Sequence, residues 1–140
     1  MKFPIPTLLL LTLLAGCGTN EWECPVPVPE RFSFTIMMPT SEVMTTKVMP
    51  NFGYGRHGVI VFRYNNANNE VFAYDCTCPA SEDCVNNGIV EHDKAGHAVC
   101  RRCKATYSLT DGRHLQQKIM LRPYYVEPFN NSPEFFRVSN

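Results

Sequence analysis

No segment of helical length in this chain carries an apolar period of 3.6 residues, which argues against a helical bundle and against an α/β architecture. Charge of one sign is not in excess either. Thirteen Lys and Arg stand against 13 Asp and Glu, a balance that gives no reason to expect nucleic acid or an anionic membrane as partner. There is no internal repeat, so a solenoid or propeller is not indicated. No apolar run is long enough to span a bilayer; the longest, Leu8 to Leu14, is far too short. Finally, no nucleophile, base and orienting group can be assembled from the residues present, so a catalyst acting by itself is not expected.

The sequence is rich in something else. It carries seven cysteines in 140 residues, and they divide into groups. Cys17 closes "LAGC" after a lone Lys2 and the apolar "LLLLTLL", an arrangement of n-region, h-region and small residues that fits a secretory leader. The small-small-Cys ending resembles the lipobox of bacterial lipoproteins. That resemblance implies cleavage before Cys17, lipid attached to it, and anchoring by multiple acyl chains. It also implies a place in the bacterial cell envelope, with the outer membrane favoured because Gly18 rather than Asp follows the cysteine. Residues 1–16 are then a leader and 17–30 a lipidated, Pro-rich tether. Without Lys2 the remaining chain has 12 basic and 13 acidic residues, a net charge near −1.

Within the tether, Pro25, Pro27 and Pro29 favour extended backbone, which would hold a domain off the lipid. From Arg31 the pattern turns to period two. Phe32, Phe34, Ile36 and Met38 share one face, as in a half-buried strand. "GVIVFRY" (58–64) and "EVFAYD" (70–75), joined by "NNANN", read as a hairpin. Shorter strands are expected at "GIVEH", "HAVC", "ATYSL", "YYVE" and "EFFRV", separated by turn signals such as "DKAG" and "TDG". Residues 31–140 are therefore expected to form an all-β domain, an antiparallel sandwich or small barrel.

Apart from Cys17, an even number of cysteines remains: Cys24, Cys76, Cys78, Cys84, Cys100 and Cys103. In an exported chain the default reading is disulfides. Yet two tight pairs, C-x-C at Cys76 and Cys78 and C-x-x-C at Cys100 and Cys103, fall where strands end. Adjacent loops there can bring four sulfurs to one point, as a metal or cluster site requires.

"AYDCTCP" and "HAVCRRCKATYSLTDGR" together resemble the two cluster loops of the Rieske iron–sulfur family. "GVIVFR" before them and "LRPYYVE" after them are similar to its flanking strands. The resemblance covers residues 55 to 140 and implies an antiparallel β-sandwich carrying a [2Fe–2S] cluster for electron transfer. The family holds its cluster with C-x-H and C-x-x-H. Here Cys76 and Cys100 fall at cysteine positions, while Cys78 and Cys103 fall where histidines stand, so the ligand set becomes four thiols. A four-thiolate [2Fe–2S] cluster would sit towards the roughly −400 mV of all-Cys ferredoxins. The segment between the pairs is longer than the family's and contains Cys84.

Exported members of that family fold around their cluster in the cytosol and leave by the twin-arginine route, whereas this leader has no Arg-Arg. Two other occupants of the same loops therefore stay open. Zinc suits four thiolates in a closed structural site. Disulfides such as Cys76–Cys100 and Cys78–Cys103, with Cys24 and Cys84 paired separately, would staple the loops and leave no cofactor. A thiol–disulfide active site at "CRRC" is disfavoured, because strand signals surround it where such motifs open a helix. His97, three before Cys100, is a further candidate ligand. With a cluster the protein is an electron carrier for a redox partner. Without one it is a non-enzymatic envelope module that binds another protein through "CPASEDCVNNG" and "NFGYGRHG".

Overall fold

The protein is represented by a computed structural model that describes residues 22–41, 44–50, 53–64, 70–93 and 95–140. Its elements are β1 (Ser33–Met37), β2 (Thr45–Met49), β3 (Val59–Arg63), β4 (Val71–Asp75), α1 (Glu82–Asn87), β5 (Val90–His92), β6 (His97–Cys100), β7 (Thr106–Ser108), β8 (Pro123–Pro128) and β9 (Phe135–Ser139). All strand pairings between these elements are antiparallel. Six strands form one sheet in the order β1-β9-β8-β4-β3-β2, and β5-β6-β7 form a second. The fold is thus all-β and antiparallel, as expected from the alternation. Cys17 and the leader lie outside the described residues. Among the described residues no helix is long and apolar enough to cross a membrane.

The large sheet is packed on both faces near its middle. All five residues of β3, "VIVFR", are buried. Val59 and Val61 point into a cluster with Phe32, Phe34, Ile36, Met38, Phe136 and Val138, which wraps β1 and β9 round into a half-barrel. Ile60 and Phe62 point the other way, against Ala98, Tyr107, Leu109 and Leu121 beneath the small sheet. The period-two face of β1 reads out directly: Phe32, Phe34 and Ile36 are buried while Ser33 and Thr35 are exposed. The hairpin expected from "GVIVFRY" and "EVFAYD" is present as β3 and β4 in register Val61↔Ala73; its "NNANN" connection lies outside the described residues.

Arg63 ends β3 inside the protein. Its Nη2 donates to the carbonyls of Met38 (2.7 Å) and Pro133 (2.6 Å), and its guanidinium lies 5.1 Å from the centre of the Phe136 ring. A buried cation is costly unless its donors are used. Here they tie the end of β1 to the turn before β9. Arg63→Ala strips the buried Met38 carbonyl and the partly buried Pro133 carbonyl of their donor and leaves a void. The expected cost is about 2–4 kcal/mol, read as a lower denaturation midpoint at unchanged slope.

Besides the short helix α1, one strand and the Pro-rich stretch differ from expectation. β2, "TTKVM", alternates too weakly to be read as a strand: four of its five residues are half-buried and Val48 is exposed. It forms because β3 offers it a free edge, Lys47 facing Val61 in register. The Pro-rich stretch also differs from a stand-off tether, since residues 22–30 lie along the domain. Val26 is fully buried, Arg122 Nε donates to its carbonyl at 2.7 Å, and Asn140 Nδ2 donates to Pro29 and Glu30. Glu23 pairs in parallel with Ile119. Extended, donor-poor backbone is as well suited to a docked strap as to a spacer. Packed structure therefore begins before residue 31.

Candidate metal centre

β4 delivers the chain to the first cysteine loop, and a buried carboxylate fixes its exit. Asp75 accepts five hydrogen bonds: from Arg56 N (2.6 Å) and Tyr124 Oη (2.5 Å) on Oδ2, and from His57 N (3.4 Å), Thr77 N (2.8 Å) and Thr77 Oγ1 (2.5 Å) on Oδ1. It thereby joins the 53–58 loop, the first cysteine loop and β8. Because the Thr77 hydroxyl gives its proton to Asp75, its oxygen accepts from His57 Nδ1 at 3.0 Å. Gly55, at φ +65°, sits so close that a Cβ there would lie 2.7 Å from Asp75 Oδ2. Burial and this hydrogen bond to Asp75 raise the Tyr124 phenol above its ordinary value.

Beyond this hub, Cys76 and Cys78 part company. Cys76 still follows the strand: its N–H donates to Gly58 O and its carbonyl accepts from Val90. Extended chain advances about 3.3 Å per residue, so only the later cysteine reaches the loop tip. Cys76 stays in the core beside His57, Ile89, Val90 and His92. Burial, with Asp75 next to it, pushes its thiol up to about 12. The expected group of Cys76, Cys78, Cys100 and Cys103 is therefore not the one the fold assembles.

The missing partner is Cys84. Ser81 caps α1 by accepting from Cys84 N at 3.1 Å, Glu82 and Asp83 occupy its first turn, and Gly88 N closes on Cys84 O. Acidic residues and a Ser cap favour a helix start. The short helix buries one side chain, Cys84. The signal was "SEDC" itself, a capping sequence that ends on a cysteine, but six residues are too few to show a helical period.

The second loop supplies the other two. β6 ends at Cys100, and Arg101, Arg102 and Cys103 turn back so that Lys104 N donates to Cys100 O and Cys100 N to Ala105 O. Lys104 completes the reversal at φ 64°. No helix opens here, in keeping with the reading against a thioredoxin-like motif. The ligand atoms of Cys78, Cys84, Cys100 and Cys103 all lie within 4.8 Å of one another, and Cys78 Sγ stands 3.7 Å from Cys103 Sγ. Three of these cysteines are buried and Cys103 is exposed.

Hydrogen-bond donors gather round three of the four sulfurs. Burial opposes ionisation of Cys100, but N–H donors from Cys103 and Arg102 outweigh it and bring its thiol below the ordinary value. Ala105 N–H serves Cys103, and Ala80 N–H and the Tyr107 hydroxyl, at 3.2 Å, serve Cys78. For Cys78 and Cys103 burial dominates and the thiol is raised. A bound cation supplies the compensating charge that burial withholds. Arg102 and Arg101 close the rim, paired with Asp83 and Glu91 respectively.

The other cysteine expectations resolve simply. All six described cysteines are free thiols. Neither the cross-loop disulfides nor a Cys24–Cys84 bridge is formed, because Cys84 is committed to the sulfur group while Cys24 lies in the strap near Arg122. His97 is not in the group; its Nδ1 lies 3.3 Å from Asp93. Of the two loops offered as a contact surface, "CPASEDCVNNG" is α1 and its approaches. In "NFGYGRHG", residues 51 and 52 lie outside the described residues, and the next ones serve Asp75.

His114 stands beside this centre, edge-on to Tyr107 at 5.2 Å. Its Nδ1 accepts from Gln116 N and Gln117 N, both at 2.9 Å, and burial holds its pKa below the ordinary 6.5. A histidine whose folded pKa is depressed leaves stability intact above the unfolded value, about 6.5, and loses it as pH falls further. Between pH 7.5 and 5.5 the denaturation midpoint should therefore drop more in the parent than in His114→Asn, which keeps an acceptor but does not titrate.

An all-β antiparallel domain with a four-thiol, metal-type group at the tips of two loops and a short helix is what fold and site define. No protein-family model and no curated protein matches the chain. Among solved structures it is similar to a protein described as the small subunit of an NADH-dependent nitrite reductase from Mycobacterium tuberculosis, at 16% identity over 79% of this chain and 96% of that one, TM-score 0.48. It is also similar to a chain of the complex of reduced oxygenase and oxidised ferredoxin in carbazole 1,9a-dioxygenase, at 13% identity over 76% and 92%, TM-score 0.48. A protein described as a nitrite reductase (NADPH) small subunit gives 16% identity over 74% and 97%, TM-score 0.42. Likeness at this level concerns the fold alone, and the reading of the site rests on the geometry above.

Proposed function

We propose that the chain is a lipid-anchored envelope protein whose Rieske-like β domain holds one tetrahedral metal ion, zinc, on Cys78, Cys84, Cys100 and Cys103. It acts as a non-enzymatic binding module. The observation that carries this reading is the spacing of the sulfurs. Around a single zinc at a Zn–S distance of about 2.3 Å, tetrahedral sulfurs stand about 3.8 Å apart. Cys78 and Cys103 are at 3.7 Å, and no pair in the group is beyond 4.8 Å. A two-iron cluster puts two metal ions between its thiolate pairs, and pairs on different irons must stand farther apart than sulfurs on one ion.

The donor set agrees. Four thiolates make a closed site, and a closed site is structural rather than catalytic. It would clamp α1, the first loop and the β6–β7 turn, elements with little apolar core of their own. Zinc also needs no assembly machinery, which accords with a leader that lacks Arg-Arg.

Electron transfer is the second reading, favoured by the resemblance of the two loops to Rieske cluster loops and by the amide donors that converge on their sulfurs. In that correspondence a shift of two residues places Cys78 and Ala80 at the C-x-H positions. Ala80 has no ligand atom, and Cys84 provides the fourth sulfur from outside the motif. Elemental analysis of protein taken from a native envelope decides between them. One zinc per chain supports the staple; two irons with visible absorbance would replace it with the carrier.

A further inference from the structure

We infer that the thiol end of the domain, not its flank, seats on the bilayer that anchors the chain, so that lipid headgroups cover Cys103. This rests on the reading of Cys17 as the lipidated residue and adds an orientation to it. Three observations carry it. The described chain begins at Trp22, whose ring lies 4.9 Å from the Arg113 guanidinium. The next residues are locked there, with Glu23 N donating to Lys118 O and Met120 N to Glu23 O. Five residue steps separate Cys17 from Trp22, and an extended chain covers at most about 3.6 Å per step, roughly 18 Å in all. The strap is docked, so that reach is measured from the thiol end itself.

The second observation is the surface found there. Leu115 is 56% exposed, a large apolar side chain at the tip of the 114–118 loop. It borders an opening of about 400 Å³ that Cys103, Lys104, His114 and Gln116 also line, with no carboxylate among the lining residues. Lys104 and Lys118 are exposed on either side. Glu23 and Asp111 lie at the margin, the latter 3.9 Å from Arg113. The other acids of this end are Glu82 and Asp83 on α1 and Glu91 on β5, with Asp83 and Glu91 paired to Arg102 and Arg101. The lining of the opening itself, Lys104 and Leu115 without a carboxylate, fits headgroups over an acyl boundary.

The third is the position of Trp22 between strap and tip, where an amphipathic ring suits the membrane interface. The opposite end of the domain, where β3 leads into Tyr64, lies a full strand length away from Val59 and the cysteine loops.

The chain has one tryptophan, which makes the orientation measurable. Full-length, processed and lipidated protein is prepared in a Trp22→Phe background carrying either Leu115→Trp or Tyr64→Trp. Each is inserted into vesicles of phosphatidylethanolamine and phosphatidylglycerol with acyl chains brominated near the headgroup. The expected result is that position 115 loses most of its emission and position 64 keeps it. Equal quenching at both positions, or none at 115 in protein that floats with the vesicles, overturns the orientation while leaving the anchor standing. Protein that does not float with the vesicles overturns the anchor and the orientation together. Because the probes lie on exposed side chains at opposite ends, native-like circular dichroism of both variants secures the comparison.

Discussion

Cys84→Ala is expected to release the metal, whereas Cys76→Ala is expected to keep it. Structural zinc on a full ligand set contributes on the order of 10–16 kcal/mol at neutral pH. A quarter of that is about 2.5–4 kcal/mol per ligand, so loss of Cys84 should weaken affinity by about 100- to 1,000-fold. Dialysis against a chelator of graded strength, with metal counted per chain, checks this. The core around Cys76 loses one small buried side chain, which costs about 1 kcal/mol. The contrast is diagnostic because the two cysteines are equally buried, and only their reach differs. Equal retention in both variants would contradict the assembled group, and so would loss in Cys76→Ala alone.

Asp75→Ala should be the most damaging substitution away from the thiols. It would leave the hydroxyls of Thr77 and Tyr124 and the amides of Arg56, His57 and Thr77 without the acceptor they share. Unmatched buried donors cost about 1–3 kcal/mol each before relaxation or water repairs some of them. A net loss of about 3–5 kcal/mol is therefore expected, near the whole stability of a small domain. Asp75→Asn should fall between, since its oxygen replaces part of the acceptor while its amide faces other donors. Chemical denaturation of the three proteins orders them. Metal affinity should fall with stability in the Asn variant, because the first cysteine loop hangs from Thr77.

The fold was largely legible because its physics is local. Alternation in "FSFTIMM" and the β-branched runs of β3 and β4 state which side chains are buried, and a sheet needs little more. β2 escaped notice because what forms it is the edge of β3, not its own pattern. The strap escaped for a related reason: three prolines say that backbone is extended, and nothing local says what it lies against.

The site was half legible. Loop ends with paired cysteines pointed to a four-sulfur centre, and two loops of the right kind do meet. Which four was decided by tertiary geometry. Along an extended strand exit, Cys76 and Cys78 differ by two residues of advance, and one helical turn starting at Ser81 brings Cys84 in from between the pairs. Sequence spacing weighs C-x-C as a unit, while the fold separates its members. Spacing alone sets Cys78 and Cys103 at the histidine places of the resembled family, while the structure shows only which sulfurs meet: Cys78, Cys84, Cys100 and Cys103.

X-ray absorption spectroscopy at the metal edge, on full-length protein from its native envelope with metal counted per chain, tests the central claim most directly. One zinc per chain, four sulfur neighbours at about 2.3 Å and no metal–metal scattering is the result this account requires. Two irons with a metal–metal shell, or no metal and no free thiols on the denatured chain, would contradict it.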